Sequence, residues 1–148
     1  ERCAIGAEAG EVDINITANS VSSTLLTMLD SHLSGAPDSK VIAVEKTPLK
    51  TLDELAYEKV KNKSVFLKID VQGYEQEVLK GASSLLKIAK GIEMEISLIP
   101  LYAGQHWLFE EVISFMKKEG FELESITPAF TDHQTGKVLQ CNGIFFRN

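Results

Sequence analysis

Apolar and polar residues change their period several times along the chain, and each change marks an element. Gly10-Glu11-Val12-Asp13-Ile14-Asn15-Ile16-Thr17 alternates apolar and polar side chains. That period of two predicts a half-buried strand, exposed or antiparallel. The polar stretch 18–40 is interrupted only by Leu25-Leu26-Thr27-Met28-Leu29 and ends near the breaker Gly35-Ala36-Pro37, so it reads as a mobile loop with room for one helical turn. Val41-Ile42-Ala43-Val44 is β-branched enough for another strand, and Thr51 is placed to cap a short helix over Leu52-Asp53-Glu54-Leu55.

Val65-Phe66-Leu67-Lys68-Ile69-Asp70 is mostly apolar and follows a polar turn, the pattern of a central strand covered on both faces. Val78, Leu79, Ala82, Leu85 and Leu86 then recur at helical spacing, with Glu75 and Glu77 near the positive end of the helix dipole. The unit repeats: Gly91 to Ser97 reads as a strand, and Phe109, Val112, Ile113, Phe115 and Met116 line one face of a helix that closes at Gly120. Two successive strand–helix units imply parallel pairing with right-handed crossovers. Phe121 to Ile126 and Val138 to Phe146 are strands with no helix between them, joined by the hairpin-like loop 132–136. The expected fold is α/β, with a mostly parallel sheet finished by an antiparallel C-terminal hairpin.

Composition narrows the setting. At 148 residues the chain suits one domain, and with 15 basic against 21 acidic residues its net charge of −6 argues against nucleic-acid binding. No apolar run approaches the ~20 residues of a membrane span, and Glu1 to Gly10 carries no signal-peptide pattern, which makes the cytoplasm the expected location. Cys3 and Cys141 lack metal or redox spacing and read as reduced thiols. His32, His106 and His133 are widely separated and read as surface residues, so no metal site is expected.

The chemistry concentrates after the strand at 65–70. In an open parallel sheet, ligands meet the carboxyl ends of the strands, which places Asp70, Val71 and Gln72 at a crevice, with Gly73 allowing a sharp turn. Asp70 can hold a ligand or act as an acid–base group; its structural alternative is to cap the following helix. Lys68, inside an apolar strand, needs to reach solvent or a carboxylate, which favours structural pairing over catalysis. Glu93 and Glu95 share one strand face; Glu95 lies nearer the carboxyl end and is the better site candidate, with a solvated or paired face as its alternative. Pro100 to Trp107 mixes aromatic, Gly and Pro residues, suited either to cover an acceptor or simply to pack as a loop.

Phe66-Leu67-Lys68-Ile69-Asp70-Val71-Gln72-Gly73-Tyr74-Glu75, followed by Glu77-Val78-Leu79-Lys80-Gly81-Ala82, resembles the signature block of the FkbM methyltransferase family. Ala4-Ile5-Gly6, Ser22-Ser23, Thr51-Leu52-Asp53-Glu54-Leu55 and Glu93-Met94-Glu95 fall in that family's order. Gln72 stands where the family usually has Glu, and Cys141-Asn142 where it often has an acidic residue. No GxG occurs here, so the glycine-rich cofactor loop of such enzymes is expected to precede this chain, which would then be the C-terminal portion, 1–148, of a single methyltransferase domain.

The resemblance implies a Rossmann-like class I methyltransferase sheet whose cofactor-loop half is missing. It also implies S-adenosylmethionine as cofactor and a small-molecule acceptor, methylated on a hydroxyl of a sugar, polyketide or related compound. Asp70 would be catalytic; Ala4, Asp70, Val71 and Gln72 would meet the cofactor; Gly73, Glu95 and Tyr102 would meet the acceptor. A sheet cut beside its central strand would leave an edge open to self-association. Two other readings are a binding or scaffold module that keeps the fold, and another nucleotide-binding α/β enzyme such as a dehydrogenase, which the lack of GxGxxG disfavours.

Overall fold

The computed structural model describes residues 2–19 and 21–147. Two mixed sheets organise them. The smaller contains β1 (Ala4–Ile5), β2 (Gly10–Thr17) and β3 (Val41–Lys50) in the order β1-β3-β2. β2 and β3 pair antiparallel, as the alternation in β2 suggested, and β1 adds parallel to the far end of β3. The larger sheet contains β4 (Val65–Ile69), β5 (Ala89–Ser97), β6 (Glu122–Thr131) and β7 (Val138–Phe146) in the order β4-β5-β7-β6.

Only β4 and β5 pair in parallel in that sheet; β7 lies antiparallel to both β5 and β6. The expectation of a mostly parallel sheet is therefore overturned. The C-terminal hairpin folds back so that β7, rather than a further crossover strand, becomes the neighbour of β5. The strand expected at the centre, β4, is an edge strand here, covered on one face only: Val65 and Ile69 are buried while Phe66 is 49% exposed. An apolar run thus marked one buried face and missed the open one.

Successive side chains of a strand point to opposite faces. Ile92, Met94 and Ile96 of β5 accordingly enter the core, and Glu93 and Glu95 face the other way. The core side is covered by α3 (Glu75–Lys80), α4 (Ser83–Ile88) and α5 (Phe109–Lys118), through Val78, Leu79, Leu85, Leu86, Val112 and Met116. Each fully buried aliphatic side chain of this kind contributes roughly 1.5–3 kcal/mol.

The helix expected through Val78 and Leu86 is two helices, broken at Gly81. A Cβ there would lie 2.1 Å from the carbonyl oxygen of Gly6, so β1 packs directly against this backbone. The segment after β3 supplies what α4 lacks. Thr51 and Glu54 form a reciprocal cap (3.0 and 3.1 Å) at the start of a π-helical turn, Asp53–Tyr57, which continues into α2 (Glu58–Val60). The Asp53 carboxylate reaches across to accept the amides of Ser84 (2.8 Å) and Leu85 (2.9 Å), capping α4 from thirty residues away in sequence.

The stretch 18–40, expected as a mobile loop with room for one helical turn, is tied by its described residues to both the smaller sheet and the loop after β5. Thr24 bridges to Asn15, Met28 bridges to Tyr102, and Leu29 donates to the Leu101 carbonyl at 2.9 Å. It contains α1 (Asp30–Gly35), and Leu26 and Met28 pack against a second small core of Leu101, Tyr102 and Leu139.

Candidate functional site

β4 ends at Ile69, and the next four residues form a tight turn into α3. Gln72 has φ +55° and Gly73 φ +94°, two consecutive left-handed residues. Gly73 is required twice over, by its φ and because a Cβ would lie 2.4 Å from the Tyr102 ring. For Gln72 the conformation costs roughly 1–2 kcal/mol. Its bonds offset that: the carbonyl accepts from Thr24 Oγ1 (2.8 Å) and the side-chain Oε1 accepts from Tyr102 OH (2.9 Å). Glu75 folds back onto the same turn, its carboxylate accepting the amides of Val71 and Gly73, each at 3.2 Å. Burial raises the Glu75 carboxyl above its ordinary value, and these amides pull it back down.

The turn aims the Gln72 amide at two carboxylates. Nε2 donates to Asp70 Oδ1 (2.9 Å) and to Glu95 Oε2 (3.2 Å). Gln140 of β7, buried opposite Ser97 and two residues along from the partner of Glu95, donates to the same Oε2 at 2.8 Å and to Ser97 Oγ at 3.3 Å. Gln105 donates to Ser97 Oγ at 3.0 Å, so the polar cluster continues behind the site. Burial, then the negative charges of Asp70 and Glu75, push the Glu95 carboxyl up to about 7; the Gln140 bond and Lys68 oppose them. Lys68 reaches both solvent and carboxylates: its side chain is 57% exposed, with Glu93 at 3.3 Å and Asp70 at 3.7 Å. Burial works against its charge, and the bond and charge of Glu93, with Asp70, outweigh it and raise the ammonium's pKa.

Two cavities meet at this turn. One of about 350 Å³ is bordered by Asp70, Gln72, Glu95 and Gln140 on the sheet side and by Asn19, Ser22, His32 and Phe130 opposite. The other, about 220 Å³, is bordered by Ala4, Ile5, Thr24, Asp70, Val71 and Tyr74 among others. Asp70 borders both. Of the sequence-derived candidates, Ala4, Asp70 and Val71 therefore meet at the second cavity, and Asp70, Gln72 and Glu95 at the first. Gly73 borders a third hollow beside Trp107. Tyr102 is fully buried behind Gln72, and its hydroxyl pKa is raised by burial and by the surrounding carboxylates.

His32 is not the surface residue its polar neighbourhood suggested. It is 2% exposed, its ring lies 5.4 Å from Tyr102 and 5.3 Å from Phe130, and burial lowers its pKa. His106 and His133 are exposed as expected. Sequence reasoning missed Gln140; the signal was a lone amide inside the apolar run Leu139-Gln140-Cys141. It also gave Thr24 and Glu75 no part in shaping the turn. Among the described residues no group of His, Cys, Asp and Glu is arranged to hold a metal ion.

The model of the FkbM methyltransferase domain matches residues 1–123, which include the whole turn and both cavities' β4 and β5 walls. The chain belongs to the FkbM methyltransferase family. No curated protein and no solved structure matches it. Within this FkbM domain the block from Phe66 to Ala82 is β4, the Asp70–Gly73 turn, α3 and the Gly81 junction. Thr51-Leu52-Asp53-Glu54-Leu55 serves architecture, with Asp53 capping α4. Membership suggests methyl transfer as the activity class of the chain.

Proposed function

We propose that this protein transfers a methyl group from S-adenosylmethionine to a hydroxyl oxygen of a sugar, polyketide or related small molecule, on a Rossmann-like sheet. The observation that carries the reading is Asp70, a carboxylate at the carboxyl end of a parallel strand that borders two cavities at once. Such a position lets one group face a donor on one side and an acceptor on the other.

The smaller cavity suits the donor's chemistry. Its walls are largely apolar with hydroxyls from Ser23, Thr24 and Tyr74, and among the described residues its one charged side chain is Asp70, which matches a cationic sulfonium and ammonium group. Ala4, Val71 and Asp70 would hold the cofactor there, and the cofactor would supply an electrophilic methyl group. The larger cavity offers amides and hydroxyls from Asn19, Ser22, Gln72 and Gln140, with Asp70 and Glu95 as its charged groups. An uncharged hydroxyl compound fits these walls, and a phosphorylated one meets like charge. The residues' task is to orient the acceptor and to manage one proton, since positioning supplies much of the barrier reduction.

The test uses the full-length protein. Calorimetry should show S-adenosylmethionine binding, and labelled methyl should pass to neutral members of a panel of neutral and phosphorylated sugars and polyketide alcohols. Asp70→Asn keeps the shape and removes the charge. It should lower turnover efficiency on the order of 100-fold with an almost unchanged melting temperature. Near-normal turnover would remove Asp70 from the chemistry.

A further inference from the structure

We infer that Glu95 is the proton acceptor of the site: it takes the proton of a hydroxyl compound seated in the larger cavity, while Gln72 and Gln140 hold its carboxylate in place. This rests on the methyl-transfer reading and assigns a step within it. When the acceptor's O–H bond breaks, the proton goes to Glu95 and the oxygen keeps the bonding pair for the new O–C bond. The S–C pair returns to the donor sulfur.

The geometry separates the two carboxylates. Glu95 Oε2 is taken by two amide donors, Gln140 and Gln72, whereas Oε1 receives no hydrogen bond from the described residues. One oxygen is thus clamped and the other left for a ligand. Asp70 is 44% exposed at its side chain, bonded by the Gln72 amide and paired with Lys68 at 3.7 Å, so unlike Glu95 it stands in solvent with a cation beside it. The Gln72 amide between them is oriented by Tyr102, whose hydroxyl donates to Oε1 and so turns Nε2 toward the carboxylates. These glutamines and Tyr102 are positioning residues.

Several ionisable groups surround Glu95. Lys68 approaches from β4, Asp70 from the turn after it, Glu75 from α3, Glu93 from its own strand, Cys141 from β7 and Tyr102 from the loop after β5, and His32 of α1 borders the same cavity. Lys68 is the one cation among them, and it is engaged by Glu93 and Asp70. Burial lowers the pKa of His32. Burial and the negative neighbours make a proton on Glu95 favourable near neutral pH, where a base must be able both to take one and to release it.

The deciding experiment titrates the glutamate side-chain carboxyls of the full-length protein by carbon NMR between pH 4 and 9. One resonance should titrate with a midpoint near 7, vanish in Glu95→Gln, and move to a lower midpoint in Asp70→Asn as a like charge is removed. Titration of Glu95 in the ordinary carboxylate range overturns the inference. With the panel alcohol found to accept methyl, kcat/KM should fall on the order of 100-fold in Glu95→Gln, and the limb of the pH profile near 7 should disappear. A limb that persists in that variant also overturns it. Failure of S-adenosylmethionine to bind, with the Glu95 midpoint still near 7, would instead remove the methyl-transfer reading and leave the proton-holding carboxylate standing.

Discussion

Glu95 carries a stability cost beside the chemical role proposed for it. Its folded pKa of about 7 lies above the ordinary carboxylate value of 4.5, so between those pH values the folded state binds more protons than the unfolded state. Stability from this group is then fully present below the unfolded value and is lost as pH rises toward 7. Glu75, also raised by burial, acts in the same direction. Glu95→Gln should therefore flatten the fall in melting temperature between pH 5 and 7, gaining on the order of 1–3 kcal/mol relative to the parent at pH 7.5. Parallel stability–pH curves for the two proteins would show that Glu95 is not buried against like charge in solution. The sequence placed Asp70, Gln72 and Glu95 at one end of the sheet from strand direction alone. It could not place Gln140 there, because that needs the register of β7 against β5, which no local pattern encodes.

At the scale of elements, most strands and helices were legible because their apolar periods are long and clean, as in β2 and α5. The breaks were not. Gly81 interrupts a periodic run for a reason that lies just after β1: the Gly6 carbonyl occupies the space where a side chain would be. Gly81→Ala is expected to destabilise the protein by about 1–3 kcal/mol through forced displacement of backbone, read as a lower midpoint in urea. An unchanged midpoint would mean that β1 and the α3–α4 junction part easily. The stretch 18–40 misled in the opposite sense. Its polar residues signalled a loop, yet Thr24, Leu26 and Leu29 spend their hydrogen-bonding groups on the fold, and that docking builds the far wall of the larger cavity.

For the whole molecule, the parallel step from β4 to β5 was foreseeable, and the order β4-β5-β7-β6 was not, since which strand inserts beside β5 is a long-range choice. The order leaves β4 at an edge with Phe66 exposed beside Phe146, ring centroids 5.8 Å apart. An open, partly apolar edge is a template for another strand, and we propose that it pairs with a second copy of the chain. Sedimentation should show apparent mass rising with concentration, and Phe66→Lys should suppress the rise. A monomer at all concentrations would dismiss that pairing.

The cap that Asp53 places on α4 also bears on how the chain assembles as it is made. α4 has six residues, too few to persist as an isolated helix. A ribosome releases Asp53 about thirty residues before Ser84 and Leu85, so the carboxylate that satisfies this helix already exists when the helix emerges. β4 has the opposite timing: its partner β5 is synthesised later, and the strand waits unpaired in the interval.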